Sequence, residues 1–180
     1  GYTTGSLGGS NGGSLDIFVV KYDSGGAKQW TKQLGTSQTD HAHGIATDSS
    51  GNVYVTGNTS GDLDGSNAGS YDLFVVKYDS GGAKQWTKQL GTSDYDYAHD
   101  IATDSSGNVY VTGSTEGALD GSNAGSSDLF VVKYGSGGAK QWTKQLGTSS
   151  EDHAYGIATD SSGNVLSLIH ISEPTRQKPI

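Results

Sequence analysis

The sequence predicts an all-β protein built of four-stranded antiparallel blades, about three repeats of an incomplete β-propeller. Three observations carry this. The phrase Asp-Ile/Leu-Phe-Val-Val-Lys-Tyr opens at Asp16, Asp72 and Asp128, spaced 56 residues apart, and residues 16–71 differ from 72–127 at only nine positions. Each unit holds four short runs rich in Val, Ile, Tyr, Phe, Thr and Trp, punctuated by Gly, Ser, Asn and Asp, as strands and turns require. No run sustains a 3.6-residue apolar period, so helices are not expected. Tandem units of this kind bury their apolar faces against one another and not inside one globule.

Taken in order through the second unit, the first strand falls at 43–48. There Gly44 and Ala46 flank Ile45, and small side chains suit the crowded centre of a disc. The turn at 49–52 leads to the second strand at 53–58, and a long Gly-rich loop follows. The third strand, 72–79, sets Phe74, Val76 and Tyr78 on one face and Leu73 and Val75 on the other. Apolar on both sides, it reads as a strand covered on both sides. The fourth, 84–91, alternates Trp86 and Leu90 with Gln85, Thr87 and Gln89, and adds Lys84 and Lys88. Lysines suit an outer edge, where they discourage pairing with a stray strand. Trp30, Trp86 and Trp142 recur at one place and are expected to wedge between blades. The chain then divides into a partial blade 1–41, blades 42–97 and 98–153, and a partial blade 154–165, with the ring incomplete.

Composition narrows the function. The net charge is −8 and no basic patch suits phosphate backbones, so nucleic acid is not an expected partner. No Cys is present, which excludes disulfides and thiolate metal sites. No apolar run approaches the roughly 18 residues of a membrane span. The chain shows no initiating Met and no signal peptide; it is expected to be a piece of a longer protein whose remaining blades are its neighbours.

After Val165 the repeated script breaks, and the only prolines, Pro174 and Pro179, and the only arginine, Arg176, follow. Residues 166–176 resemble the in-frame translation of a sequencing-library adapter. Residues 166–180 are therefore read as a non-native read-through tail, and His170, Glu173 and Arg176 enter no candidate site. The stretch Leu-Ser-Leu-Ile-His-Ile is nonetheless β-prone and suits the place of the strand it replaces.

The phrase DLFVVKYDSGGAKQWTKQLGT followed by HDIATDSSGNVYVTGST resembles the bacterial β-propeller repeat labelled SBBP, over essentially all of 1–165. The resemblance implies a secreted or cell-surface bacterial protein, often large and multidomain. It implies no catalytic activity and supplies no catalytic motif.

Ser is plentiful but sits in turns, and no nucleophile-plus-base constellation stands out. His41, His43, His99 and His153 fall in one repeated phrase behind Asp40, Asp96 and Asp152. Two such histidines could share a face and hold a metal. The units exchange His for Tyr there, which fits a half-wet aromatic position better than a ligand set. Asp62, Asp64, Asn67, Asp120 and Asn123 offer oxygens in the long loop, as calcium requires. The preferred reading is an Asx-rich loop bonding its own backbone, with calcium the alternative and no other cofactor.

Differences between units gather in the loop between blades and in the long second-to-third loop, which emerge on the same face of an up-and-down blade. The opposite, short-turn face hardly varies. A variable loop face on a rigid scaffold is where binding is expected. Thr39, His41, His43, Tyr95, Tyr97, His99, Glu151, His153 and Tyr155 are the candidate ligand-binding residues. The expected function is a non-catalytic scaffold presenting that face to a protein or a glycan. The alternatives are a fragment of a propeller enzyme, of lyase or quinoprotein type, and a calcium-stabilised adhesion module.

Overall fold

A computed structural model describes residues 1–171, which are all β among the described residues. Thirteen strands run in order: β1 Tyr2–Thr3, β2 Asp16–Tyr22, β3 Lys28–Leu34, β4 Asp40–Thr47, β5 Val53–Thr59, β6 Asp72–Tyr78, β7 Lys84–Leu90, β8 Asp96–Thr103, β9 Val109–Thr115, β10 Asp128–Tyr134, β11 Lys140–Leu146, β12 Asp152–Thr159 and β13 Val165–Ile171. They form two complete meanders, β4-β5-β6-β7 and β8-β9-β10-β11, flanked by β1-β2-β3 and by the pair β12-β13, all antiparallel. The propeller reading holds, with about three 56-residue repeats and, among the described residues, no closed sheet.

Each apolar core lies between blades. Phe74, Val76 and Tyr78 of β6 join Val53 and Val55 of β5 against Ile17, Val19, Trp30 and Leu34 of the preceding blade. The other face of β6, Leu73 and Val75, packs with Tyr54 against Ala98, Ile101, Val109, Val111, Phe130, Val132 and Tyr134 of the following blade. The two-faced pattern read from the sequence is thus the division of one strand between two interfaces. We call these the backward and forward faces of a blade.

The tryptophans do wedge between blades. Trp30 Nε1 donates to the Ser80 carbonyl at 3.2 Å, and Trp86 Nε1 to that of Ser136 at 3.2 Å, in each case on the β-turn of the next blade. Glycine makes room for the ring. A Cβ on Gly82 would meet Trp30 Cδ2 at 2.9 Å, and one on Gly138 would meet Trp86 Cδ2 at 2.9 Å. Both glycines also have positive φ, 85° and 86°, where a side chain is strained. Lys21 and Lys77 donate to the same Ser80 and Ser136 carbonyls.

Two boundaries differ from the sequence reading. The innermost strand starts at Asp40, not near residue 43, so the second and third blades begin at Asp40 and Asp96. A β-bulge is the cause: Ala42 pairs with Gly57 and Gly44 with Thr56, leaving His43 as the extra residue and interrupting the alternation that marks a strand. The final half-blade extends past Val165 to Ile171, because Val165–Ile171 takes the position of β5 and β9, pairing with β12. Antiparallel pairing uses backbone groups, so a β-prone segment of different text occupies the slot. Residues 172–180, with Glu173, Pro174, Arg176 and Pro179, lie outside the described residues.

Candidate functional site

The loop face is held by three side-chain devices, each repeated. Gln89 reaches from β7 to the long loop, accepting from Leu63 N at 2.8 Å and Asp64 N at 3.1 Å while donating to Gly61 O at 3.0 Å and Asp72 Oδ2 at 2.9 Å. Asp72 also accepts from Ala68 N at 3.0 Å. Asp96 closes the loop between blades: Oδ2 accepts from Thr92 N at 2.6 Å and Thr92 Oγ1 at 3.0 Å, and Oδ1 accepts from Thr115 Oγ1. Asp40 does the same for Thr36 and Thr59, and Asp152 for Thr148. These carboxylates are buried, and burial pushes that of Asp96 up despite its threonine donors.

Asp40, Asp96 and Asp152 turn inward as loop caps and do not join the rings next to them. No group of three or more His, Asp or Glu side chains suited to a metal ion occurs among the described residues. The calcium candidates are engaged within their own blades. Asp62 Oδ1 accepts from Asn67 N at 2.8 Å, and Asn67 Oδ1 from Gly69 N at 2.8 Å. Asn123 donates to Glu116 O at 2.6 Å, while Asp64 and Asp120 pair with Lys88 and Lys144 at 3.4 and 3.3 Å.

The candidate ligand-binding residues do come together, as aromatic groups at successive blade boundaries. Tyr2, His41 and His43 form the first, with centroid separations of 4.8 and 6.2 Å. Tyr71, Tyr95 and Tyr97 form the second, at 5.7–6.0 Å, the Tyr95 and Tyr97 planes only 10° apart. His99, His153 and Tyr155 form the third, with His99 and Tyr155 stacked at 4.8 Å. Thr39 and Glu151 stand at the position of Tyr95, bridged to Leu15 and Ser127 as Tyr95 is to Tyr71. Glu151 lies 3.8 Å from His153 Nε2.

A β-bulge supplies one member of the first group and two of the third. His43, His99 and Tyr155 are the three bulged residues. At the first two bulges the opposite strand offers glycine, where a Cβ on Gly57 or Gly113 would sit 1.8 Å from the carbonyl of His41 or Tyr97. His43 Nε2 bonds Asn58 Oδ1 at 2.7 Å, and His99 Nδ1 bonds Ala154 O of the next blade at 2.9 Å. Burial, followed by the neighbouring His43, lowers the pKa of His41; burial also lowers that of His99, against the opposing Ala154 bond. The sequence reading missed Tyr2, Tyr71 and Asn58 as members of these groups. Tyr71 and Asn58 were legible among the nine differences between units.

The two variable loops also meet. A cleft of about 460 Å³ lies between Gly35–Gln38 of one blade and Ser60–Asp62 of the next. The SBBP β-propeller repeat matches residues 29–64, 85–119 and 141–167, each match running from an outer strand, across this junction, into the next blade. This chain belongs to the SBBP β-propeller repeat family. Among curated proteins, the SBBP chain is 32% identical over 169 positions to the regulatory protein FlaEY of Caulobacter vibrioides, covering 83% of this chain and 18% of FlaEY. It is 29% identical to an uncharacterized WD repeat-containing protein of Acanthamoeba polyphaga mimivirus, covering 75% of this chain and 12% of that protein. The chain thus spans less than a fifth of either relative.

Proposed function

We propose that these SBBP blades are a non-catalytic scaffold that presents the loop face to a protein or glycan ligand, in a secreted or cell-surface bacterial setting. The observation that carries the reading is where the units differ. Gln38, Ser60 and Asp62 line the cleft, Thr39, His41, Asn58 and Tyr71 belong to or border the aromatic groups, and the Trp–Gly junctions never change. Near-identical units also give every blade the same side chains, whereas catalysis needs one asymmetric constellation. The Tyr71–Tyr95–Tyr97 group, with Tyr95 38% exposed, offers aromatic area of the kind that stacks on sugars or peptide side chains. The extracellular setting is supported by the family resemblance.

The test uses the 180-residue chain on a glycan array and against purified cell-surface proteins. A variant carrying Tyr95→Thr and Tyr97→His gives the third blade the second blade's residues. Its fold should persist and its binding to any ligand found should drop at least tenfold. Affinity unchanged within twofold would remove the loop face from the reading.

A further inference from the structure

We propose, on the reading of the loop face as a binding surface, that the junction between the second and third blades takes an arginine side chain from a basic segment of a partner protein, laid on Tyr71, Tyr95 and Tyr97 and paired with Asp94 and Glu116. Of the nine positions at which residues 16–71 differ from 72–127, five meet at this one junction. They supply Tyr71, Asp94, Tyr95, Tyr97 and Glu116, where the equivalent positions carry Ser127, Gln38, Thr39, His41 and Ser60. Two carboxylates and three phenol rings thus arrive together in a chain whose units are otherwise near copies. Unselected drift in exposed loops would scatter such changes over all the junctions.

Backbone bonds fix the platform before any ligand arrives. Tyr71 and Tyr95 face each other across a β-bridge, and Asp96 N donates to Tyr71 O at 2.8 Å. Glu116 N donates to Tyr95 O at 2.9 Å, and Ser70 N to Asp94 O at 3.3 Å. The Tyr95 and Tyr97 centroids stand 5.8 Å apart, with Tyr71 6.0 and 5.7 Å from them. Asp94, Tyr95 and Glu116 are exposed, while Tyr71 and Tyr97 are half-buried. Burial, then the neighbouring Tyr95, Tyr71 and Glu116, raise the pKa of Tyr97, so the Glu116 carboxylate lies within electrostatic reach of the rings. An aromatic face attracts a cation, and a guanidinium stacks flat on it while its N–H fork stays free for carboxylates. The surrounding charge favours the same ligand. The loops of this face, 35–39, 60–71, 91–95, 116–127 and 147–151, contain no Lys or Arg. Lys88 and Lys144 reach it already paired with Asp64 and Asp120. Among the described residues Asp94 and Glu116 form no ion pair. An anionic ligand would meet two carboxylates here and no cation. A neutral sugar would use the rings and leave both charges unanswered, whereas an arginine answers rings and charges together.

Isothermal titration of the full 180-residue chain with acetyl-Arg-Gly-Arg-Gly-Arg-amide is the test, with the same peptide carrying citrulline, the neutral isostere of arginine, as the comparison. The arginine peptide should bind at least tenfold tighter than the citrulline peptide, and more weakly as salt is raised. Tyr95→Thr, and Asp94→Asn combined with Glu116→Gln, alter exposed side chains. Each variant should keep its circular dichroism and bind the arginine peptide at least fivefold more weakly. No binding at millimolar peptide, equal binding of the citrulline peptide, or binding indifferent to both variants would each overturn the assignment. A neutral oligosaccharide that binds in place of the arginine peptide, and is lost with Tyr95→Thr, would overturn it too while leaving the loop face a ligand surface. Failure of peptides, proteins and glycans alike would remove that broader reading as well.

Discussion

Replacing Asp96 by alanine removes one buried carboxylate and strands a defined set of donors. Thr92 N loses its acceptor at 2.6 Å and Thr92 Oγ1 its acceptor at 3.0 Å. The Thr115 hydroxyl keeps a fallback, the Gly117 carbonyl at 3.3 Å. A buried unpaired N–H costs about 1–3 kcal/mol, and a hydrogen bond to a charged group contributes about 1.5–3 kcal/mol. The terms overlap, so a loss of about 3 kcal/mol is expected, on a fold whose total is on the order of 5–15 kcal/mol. Asp96→Asn should behave differently. Its oxygen can accept from Thr92, and its amide can donate to Thr115 Oγ1, whose proton then turns to Gly117. The substitution also removes a charge whose burial is already unfavourable, as the raised pKa of Asp96 records. Asp96→Asn should therefore cost less than about 1 kcal/mol. Urea unfolding followed by tryptophan fluorescence separates the two. With a slope of about 1–3 kcal/mol per molar urea, the alanine midpoint falls by about 1–3 M while the asparagine midpoint barely moves. Equal losses would mean that the charge, not the acceptor geometry, closes the loop.

Trp86→Ala should destabilise the chain by about 2–4 kcal/mol, through the lost ring contact on Gly138 and the lost bond to Ser136, measured by the same unfolding assay. Replacing 166–169 with Tyr-Val-Thr-Gly should raise the melting temperature by at least about 2–4 °C, the shift that ~1 kcal/mol brings in a chain of this size. It restores a tyrosine like Tyr54 and Tyr110, whose hydroxyls donate to Asp48 and Asp104, and returns glycine to the register of Gly57 and Gly113. The folded-state pKa values of His41 and His99 lie below the ordinary value of about 6.5, so the unfolded chain binds protons there first. Their contribution should be present above pH ~6.5 and lost as pH falls through the folded values, seen as a falling urea midpoint on the acid side. Millimolar calcium should leave the melting temperature unchanged, because the loop oxygens of Asp62 and Asn67 already hold the loop's own backbone; a rise with calcium, reversed by chelator, would restore the calcium reading.

The strands were legible because their signals are local. Turn residues bound each run, and two-sided burial left an apolar residue at nearly every position of Leu73–Val76. The start of the inner strand was not, because a bulge inserts a residue where alternation is expected. Its only trace is a glycine inside the partner strand, Gly57 or Gly113, and a strand glycine by itself does not say what approaches it. The aspartates of the Asp-His-Ala-His phrase look like metal neighbours when read along the chain. Their true partners, Thr59 and Thr115, lie across a hairpin, and only pairing brings them close. Tyr71 was visible as a difference between units but not as a neighbour of Tyr95, since the bridge between them joins two blades.

Because the forward face of every blade fits the backward face of every other, the array can change length by recombination without inventing a new surface. A crossover between the codons of Gly35 and Gly91 would delete one unit and join β3 directly to the loop before β8. Trp30 would then meet Gly138 and the Ser136 carbonyl, the contacts Trp86 makes in the present chain. A substitution that improved one junction alone would turn into a mismatch at the next such exchange. The tryptophan, glycine and serine of the junction are thus held to one text by the genetics of the repeat as much as by its packing, while the loop face is left free to differ.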